Sequence, residues 1–478
     1  MNKQNEGLGL GKITFFAIGA TLASGVFSLS GDFAATGAHT LSVLIGWAIC
    51  GIGMFSLTLC FFRLSIIRPD LTSGLYSYAK HGFGDYVGFN SAWGFWLSML
   101  LGNLSFITLL FASLGNYFPI FGAGNNIWSL IGGSILIWFI AVLLMKGVSE
   151  ALALNTIVVI AKAIPIAIMI ITIILSGAFS FDIFFDNFTG ESSGISLLEQ
   201  IRSTVYTTVW VFIGIEGAVV ISGRAKSTQI AGKATVLAFI SLFILYFLIS
   251  ILSMGVLPTE ELAQLDNPPM ASLLEKVVGR WGKLIVNLGV IISIAGALFT
   301  CTILCVESLY APATQKCFPK YFATVNQNNA PTKSILVTTI VTQVFLVIMY
   351  FNDATYQVCY TLSTSAIMIP YALCAFYCLK LTFSGLCMES LSSKEKTWIW
   401  TYSILGSLYG IWMLYASSIT NLLISALLYA PGVILYAKTK QEEKEPFFPK
   451  IVDKIVLVLL LVMAIISAIM IFKGTIKL

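Results

Sequence analysis

About thirteen runs of mostly apolar residues, each close to the length that crosses a bilayer, constrain this chain of 478 residues more than any other feature. The hydrocarbon core of a membrane is about 30 Å thick, and a helix needs about 20 residues to span it. Charged residues make up only 10% of the chain, whereas soluble domains contain about 25%. Most of the chain must therefore lie in lipid, which excludes a nucleic-acid-binding protein. The predicted spans cover residues 13–31, 41–62, 87–118, 127–145, 153–177, 203–222, 234–257, 284–310, 334–350, 357–379, 398–416, 419–437 and 452–472.

The distribution of positive charge predicts the orientation of these spans. Cytoplasmic loops accumulate Lys and Arg, and a cytoplasmic N-terminus places about 20 of the 27 Lys and Arg residues on the inner side. We therefore predict a multi-pass protein of the cell membrane with its N-terminus in the cytoplasm. The polar start of the chain lacks a signal-peptide cleavage pattern, so the first span is expected to be retained. The two longest external loops, about 178–202 and 258–283, are acidic, as solvated loops often are.

Several classes of function are disfavoured by what the sequence contains. No segment outside the spans is long enough to fold alone and no Walker-type loop occurs, so ATP-driven transport by this chain is not expected. No nucleophile–base pair or His/Asp cluster indicates an enzyme, and a channel would more often show a repeated polar lining. Nine cysteines, mostly within apolar runs, and two histidines predict neither a disulfide framework nor a metal site. We expect no metal and no cofactor.

Two spans contain stretches where a helix can break. They are residues 19–25 (GATLASG) in the first span and 210–217 (WVFIGIEG) in the sixth. A membrane helix breaks only where protein, water or ligand satisfies the freed backbone groups, and paired interruptions in corresponding halves mark the midplane site of a transporter. We therefore predict two broken helices in two halves of five helices each. The alternative is that the glycines only allow helices to pack closely.

The two breaks together predict a site for the backbone of an amino acid. Amide N–H groups near Ser24 and Gly25 would lie beside the positive end of a half-helix, which suits a carboxylate. Carbonyl groups around Ile213 and Gly214 would suit an α-ammonium group, since an unwound segment leaves its carbonyls without helical partners.

Two charged residues and one aromatic residue inside the spans are further candidates. Glu216, in the second break, would attract a cationic substrate, exchange a proton or hold a gate; a purely structural hydrogen bond is the alternative. Lys162 lies deep in the fifth span, where an ammonium group would replace a bound sodium ion or titrate; a structural partner for backbone carbonyls is the alternative. Trp210 precedes Glu216 and would cap a substrate or stack on it. Glu307 ranks below these residues because it lies near the end of its span.

Ten short stretches, in order along the chain, are similar to one transporter family. They are residues 45–47 (IGW), 68–71 (RPDL), 84–86 (GDY), 91–94 (SAWG), 102–103 (GN), 118–122 (FPIFG), 210–218 (WVFIGIEGA), 232–236 (GKATV), 252–256 (LSMGV) and 427–432 (LLYAPG). The sequence resembles the amino acid–polyamine–organocation superfamily and, within it, the basic amino acid/polyamine antiporters. It is most similar to the arginine/ornithine antiporters of the arginine deiminase pathway, and the resemblance covers nearly the whole chain.

This resemblance implies an all-α polytopic membrane protein with a LeuT-type inverted repeat of five plus five helices, in which helices 1 and 6 are broken. Residues 1–478 would form a single transporter domain. The first repeat would cover 12–177, the second 203–380, and additional C-terminal helices 398–473. The family exchanges an amino acid for a related product in an obligatory manner.

The resemblance also implies roles for single residues. Ser24 and Gly25 would meet the substrate carboxylate, and Ile213 the α-ammonium group. Asn103 would be a polar residue of the site on the third helix. Trp210 would be a stacking gate, Glu216 the proximal gate, and Lys162 the fifth-helix lysine that replaces a sodium site in sodium-independent relatives.

The sequence departs from the arginine/ornithine pattern at two places. Those relatives have a first break that ends in Phe-Ser-Leu-Pro, whereas this chain continues as Ser28-Leu29-Ser30, and they tend to have a Trp where this chain has Cys301. Both places adjoin the predicted pocket, and we include Thr21 and Cys301 among its predicted substrate-binding residues. Loss of an indole there changes the shape of the pocket and leaves the substrate open.

We therefore predict a secondary active antiporter, not an enzyme, that exchanges an external cationic or ionisable amino acid for its internal catabolic product, of the arginine/ornithine type. One alternative is an electrogenic exchanger of a precursor for its amine, such as histidine for histamine. A proton-coupled amino-acid symporter is another. The expected partners are small amino acids, amines and the lipid bilayer; a homodimer is left open.

Overall fold

The computed structural model describes residues 7–71, 74–147, 149–220, 225–352 and 355–476, and in these ranges the chain is helical without a β-strand. The helices are α1 (Leu10–Thr21), α2 (Gly25–Ala35), α3 (Thr40–Ile67), α4 (Leu75–Phe83), α5 (Asp85–Gly115), α6 (Ile127–Lys146), α7 (Ser149–Ser176), α8 (Phe181–Phe185), α9 (Leu197–Trp210), α10 (Gly217–Val220), α11 (Thr228–Met254), α12 (Thr259–Leu262), α13 (Pro269–Val278), α14 (Arg280–Thr314), α15 (Thr332–Phe351), α16 (Tyr356–Phe383), α17 (Ser393–Ala416), α18 (Ile419–Tyr429), α19 (Gly432–Glu443) and α20 (Ile451–Phe472).

Ten helices or pairs of consecutive helices in the described ranges are long and apolar enough to cross a membrane. They do not include three of the predicted spans: 153–177, 203–222 and 398–416. Helices lie at these positions too, but α9 has only 14 residues before its break, and α17 begins with the charged run 394–396. The count of thirteen spans therefore stays a prediction.

Helix α5 forms the centre of the molecule. Every residue from Tyr86 to Ser113 is buried, and the helix packs mainly against α14 and α16. A helix that is apolar on all sides is expected in the core of a large bundle. Helices α3, α11 and α1 pack together beside this centre, so that the first break adjoins the core.

The C-terminal helix α20 lies at the periphery. Only Asp453, Ala464 and Ser467 of its 22 residues are buried, while large apolar side chains such as Leu459 and Ile465 are exposed. A continuous exposed apolar surface of this size marks contact with a partner or a membrane. Its composition suits a helix that faces lipid.

An ionic cluster joins the C-terminal helices to the core. The ammonium group of Lys440 on α19 lies 2.6 Å from the carboxylate of Asp85, at the start of α5, and 2.6 Å from that of Glu445. Lys80 on α4 lies 3.7 Å from Asp85. The side chain of Lys440 is only 8% exposed, so this cluster is screened less by salt than a surface ion pair.

Candidate substrate-binding site

The first span breaks where the sequence predicts. Helix α1 ends at Thr21 and α2 begins at Gly25. The amide of Ala23 turns back to the carbonyl of Thr21 at 2.9 Å, so it no longer bonds the carbonyl of Gly19. Since α2 starts afresh, its first amides have no acceptor within the helix.

Side chains from three neighbouring helices satisfy the carbonyls that this break frees. They come from α7, α11 and α14, so the break is built by tertiary contacts and is more than a local kink. The contacts are Lys162 Nζ to Gly19 O (2.6 Å), Cys301 Sγ to Ala20 O (3.7 Å), Tyr246 Oη to Thr21 O (3.3 Å) and Ser293 Oγ to Ala23 O (3.4 Å).

Lys162 is the charged member of this set. Its side chain is fully buried, and no described carboxylate lies within 4.0 Å of its ammonium group. A buried ammonium group is costly unless strong hydrogen bonds compensate it, and here the carbonyl of Gly19 is its hydrogen-bond partner. Lys162 therefore ties α7 to the break in α1.

The sixth predicted span breaks over six residues. Helix α9 ends at Trp210 and α10 begins at Gly217. Gly214 has a φ of +101°, a conformation that side chains rarely adopt. In the described part of the chain no group donates a hydrogen bond to the carbonyl of Ile213. This carbonyl is therefore available to a ligand.

Glu216 holds this second break from within. Its two carboxylate oxygens each accept from the amide of Gly214 at 3.2 Å, and one also accepts a hydrogen bond from the hydroxyl of Tyr371 on α16. The side chain is fully buried. Glu216 thus connects the broken helix to α16.

The two breaks lie against each other. A Cβ atom added to Gly214 would lie 2.9 Å from the backbone of Ala20, and one added to Gly25 would lie 2.8 Å from Cγ1 of Val211. Both distances are shorter than any ordinary contact between carbon atoms. Glycine is therefore required on each break for the other break to approach it.

A small cavity of about 10 Å³ lies between the breaks, room for about one water molecule, so an amino acid fits there only when the surrounding helices separate. It is lined by Thr21, Ala23, Gly25, Ser98, Met99, Gly102, Phe106, Trp210, Val211, Ile213 and Cys301. No acidic side chain of a described residue lines it. Five predicted site residues therefore border this space: Thr21, Gly25, Trp210, Ile213 and Cys301.

Three predicted site residues lie beside the cavity without lining it. The amide group of Asn103 donates to Thr302 on α14 at 3.2 Å, and its oxygen is buried without a partner. The hydroxyl of Ser24 is likewise buried and unpaired. Glu216 faces Gly214 and Tyr371. Unpaired buried polar atoms in a native structure need an explanation, and a ligand would supply it.

Trp210 closes one side of the cavity. Its ring stacks on Tyr360 with the centroids 5.6 Å apart, and its indole N–H donates to the hydroxyl of Tyr356 at 3.0 Å. The ring is only 4% exposed. These contacts hold the indole in one orientation over the cavity.

Sequence reasoning missed three residues of this region: Asp32, Tyr356 and Tyr371. The two tyrosines carry no local signal because aromatic residues make up 13% of the chain. Asp32 falls one residue beyond the predicted end of the first span. Its position eight residues after Ser24 was the available signal, since it places both side chains on one helix face.

A charge pair outside the spans orders the turn after α3. The guanidinium group of Arg68 lies 2.7 Å from Asp70 Oδ2 and donates from Nε to Oδ1 at 2.9 Å. This contact lowers the pKa of Asp70 below its usual range. The pair is therefore expected to persist as the pH falls through the usual pKa of Asp and to be lost only when Asp70 itself is protonated.

Comparisons with known proteins agree with this geometry. Residues 8–422 match the family model described as amino acid permease. The arginine/ornithine antiporter of Pseudomonas aeruginosa is 40% identical over 480 residues, which are 99% of this chain and 98% of that protein. The arginine/agmatine antiporter of Chlamydia caviae is 36% identical over 470 residues, with 96% of each chain covered.

A comparison of folds gives the same architecture. The structure of MhsT in complex with L-phenylalanine superposes with a TM-score of 0.60 over 85% of this chain and 98% of that one. At 12% identity this likeness shows the fold alone. The predicted LeuT-type fold with broken first and sixth helices is confirmed. The chain belongs to the amino acid permease family, whose relatives here are transporters.

Proposed function

We propose that this chain is a secondary active antiporter of the cell membrane that takes up arginine in exchange for ornithine. The observation that supports this most is the close approach of two broken helices around a small cavity. It occurs in a chain that is 40% identical, over nearly its full length, to an arginine/ornithine antiporter.

In this proposal the breaks hold the backbone of the amino acid. The substrate carboxylate lies at the start of α2, near Ser24 and Gly25, where amides without helical acceptors and a positive helix end favour an anion. The α-ammonium group donates to the carbonyl of Ile213, which has no described donor. Thr21 and Cys301 border the remainder of the substrate.

Lys162 places its side-chain amino group at the first break. Its ammonium group bonds the carbonyl of Gly19, a group that a metal cation would otherwise coordinate. Exchange should therefore proceed without sodium. Replacement of external sodium by choline tests this, and a fall in the rate of exchange would contradict it.

Glu216 acts as a gate-holding residue in this proposal. Both of its oxygens accept from the amide of Gly214, and one also accepts from the hydroxyl of Tyr371. These contacts favour a role in stabilising the second break over direct contact with the substrate. Trp210 covers the cavity and must move for the substrate to pass. The helices that carry these residues would rock relative to α5 to open each side in turn.

The net charge moved across the membrane in one exchange cycle distinguishes this exchange from two others. Arginine for ornithine moves no net charge. Arginine for agmatine, suggested by the Chlamydia caviae relative, exports one positive charge, as does neutral histidine for protonated histamine. One charge is worth about 2.3 kcal/mol per 100 mV of membrane potential, so only the last two exchanges would respond to voltage.

The experiment is uptake of labelled arginine into proteoliposomes that contain ornithine, agmatine, histamine or no amine, with the potential clamped or free. Arginine uptake that requires internal ornithine and does not respond to voltage is the expected result. Uptake that requires agmatine and responds to voltage would replace this proposal with an arginine/agmatine exchange. Uptake into empty liposomes would contradict obligatory exchange.

We also propose that the N-terminus is cytoplasmic. An exposed cysteine makes it possible to test this orientation directly. Cys387 lies between α16 and α17 and is the exposed one of the nine cysteines. The positive charges of its loop predict a cytoplasmic position. A membrane-impermeant maleimide should therefore label Cys387 in inside-out vesicles and not in right-side-out vesicles; the reverse pattern would invert the orientation.

A further inference from the structure

Helix α2 presents a row of polar side chains next to the cavity. Ser24, Ser28 and Asp32 follow one another at intervals of four residues and therefore share one face of the helix. Their exposed fractions are 0%, 0% and 1%. Because α2 leads away from α1 and the N-terminus, Asp32 lies on the external side of the cavity in the proposed orientation.

This row meets Tyr356 at the start of α16. The hydroxyl of Tyr356 donates to Asp32 Oδ2 at 3.5 Å and accepts from the indole N–H of Trp210 at 3.0 Å. Ser24 and Ser28 lie close to the same hydroxyl. A chain of hydrogen bonds therefore runs from the ring that covers the cavity to a buried carboxylate.

The carboxylate of Asp32 has neutral hydrogen-bonding neighbours but no counter-ion among the described residues. The side chain of Gln357 also lies close to this carboxylate, but Oδ1 has no hydrogen-bond partner within 3.5 Å among the described residues, and neither do the hydroxyls of Ser24 and Ser28. No Lys, Arg or His among the described residues lies within 4.0 Å of it. Burial of a carboxylate without a counter-ion costs several kcal/mol, so this cluster of acceptors is suited to a cation.

In contrast to Asp32, the described side chains that line the cavity are uncharged. Among the residues that the structure describes, no acidic side chain lines the cavity, although a cationic amino acid brings a charged side chain that needs a counter-ion. Asp32 is the acidic residue that hydrogen bonds connect to Trp210. At 3.5 Å, its bond to Tyr356 is long and therefore readily exchanged for a charge-assisted bond to a ligand.

We propose that Asp32, Ser28 and Tyr356 form an external subsite for the cationic side chain of the substrate, a guanidinium or primary ammonium group. This inference rests on the proposed exchange of cationic amino acids. A cation at Asp32 takes the place of the Tyr356 hydroxyl. Tyr356 then loosens its hold on Trp210, so that arrival of the correct charge favours opening of the cavity. Asp32 is thereby a residue that determines specificity for charge.

The test compares Asp32→Asn with the unchanged chain in right-side-out vesicles preloaded with ornithine. Asn keeps the size of Asp and an acceptor for Tyr356 but loses the charge. External KM for arginine should rise about tenfold or more, as expected for loss of a charge-assisted bond. The preference for arginine over citrulline, its neutral analogue of the same length, should fall by a similar factor. The KM for internal ornithine should change less than about twofold.

Asp186→Asn is the matched control, because it removes one negative charge from an exposed position on a predicted external loop. An equal rise in KM in this control would overturn the subsite, as would an unchanged KM in Asp32→Asn. A sodium requirement for arginine exchange that is lost in Asp32→Asn would also overturn it and assign the cluster to an inorganic cation. Absence of arginine/ornithine exchange in the unchanged chain would instead refute the proposed function.

A second variant covers the case in which Asp32→Asn does not fold, as judged by size-exclusion chromatography. Ser28→Ala removes one neutral acceptor and leaves the charge in place. It should raise external KM for arginine by about two- to tenfold, the range for a single neutral hydrogen bond, and leave the KM for citrulline unchanged. Equal increases for both substrates would contradict recognition of the cationic group.

Discussion

Replacement of Gly25 by alanine should impair exchange because of the close approach of the two breaks. The new Cβ atom would lie 2.8 Å from Cγ1 of Val211 and 3.1 Å from Cδ1 and Nε1 of Trp210, whereas carbon atoms in contact are normally about 3.5–4.0 Å apart. Val211 and Trp210 are 2% and 4% exposed. Neither side chain can move into solvent, so the breaks themselves must separate.

Overpacking of this kind costs about 1–3 kcal/mol, which corresponds to a factor of about 5–150 in an equilibrium. Exchange of arginine for ornithine in proteoliposomes at arginine concentrations below KM should fall by a factor in this range. Gly9→Ala is the matched control because a Cβ atom there would meet no atom within 4 Å, and its rate should stay within about twofold of the unchanged chain. Equal rates for the two variants would refute the reasoning that Gly25 is required for contact between the breaks.

Three further substitutions test the contacts around the cavity. Lys162→Met keeps the length of the side chain but leaves the carbonyl of Gly19 unpaired, at a cost of about 1–3 kcal/mol; turnover in proteoliposomes should fall more than expression does, and a fully active variant would make the lysine dispensable. Glu216→Gln keeps an acceptor for Tyr371 but loses its charge, so exchange should slow; unchanged kinetics would exclude a gating role. Trp210→Phe loses the indole N–H and should weaken closure by about 0.5–1.5 kcal/mol, seen as faster release of bound arginine; slower release would contradict this.

Local features of the sequence were sufficient to predict the helices and the two breaks, and to single out Lys162 and Glu216 as charges within the spans. Apolar length alone predicts a span, and clusters of small residues and glycine allow a helix to unwind. A charge inside a span is costly whatever surrounds it. None of these inferences requires knowledge of which helices are neighbours. The count of thirteen spans stays a prediction, because α9 is short and α17 begins with charged residues.

The tertiary structure decided which groups meet. Lys162 bonds a carbonyl 143 positions away in the sequence, and Glu216 bonds a tyrosine 155 positions away. That Glu216 faces Tyr371 and not the cavity, and that Asp32 is buried against Tyr356, depends on how α16 packs and rotates against the broken helices. Hydrogen bonds act only over about 3 Å. A small rotation of one helix therefore changes every partner, and residue types and spacing within a single span do not determine that rotation.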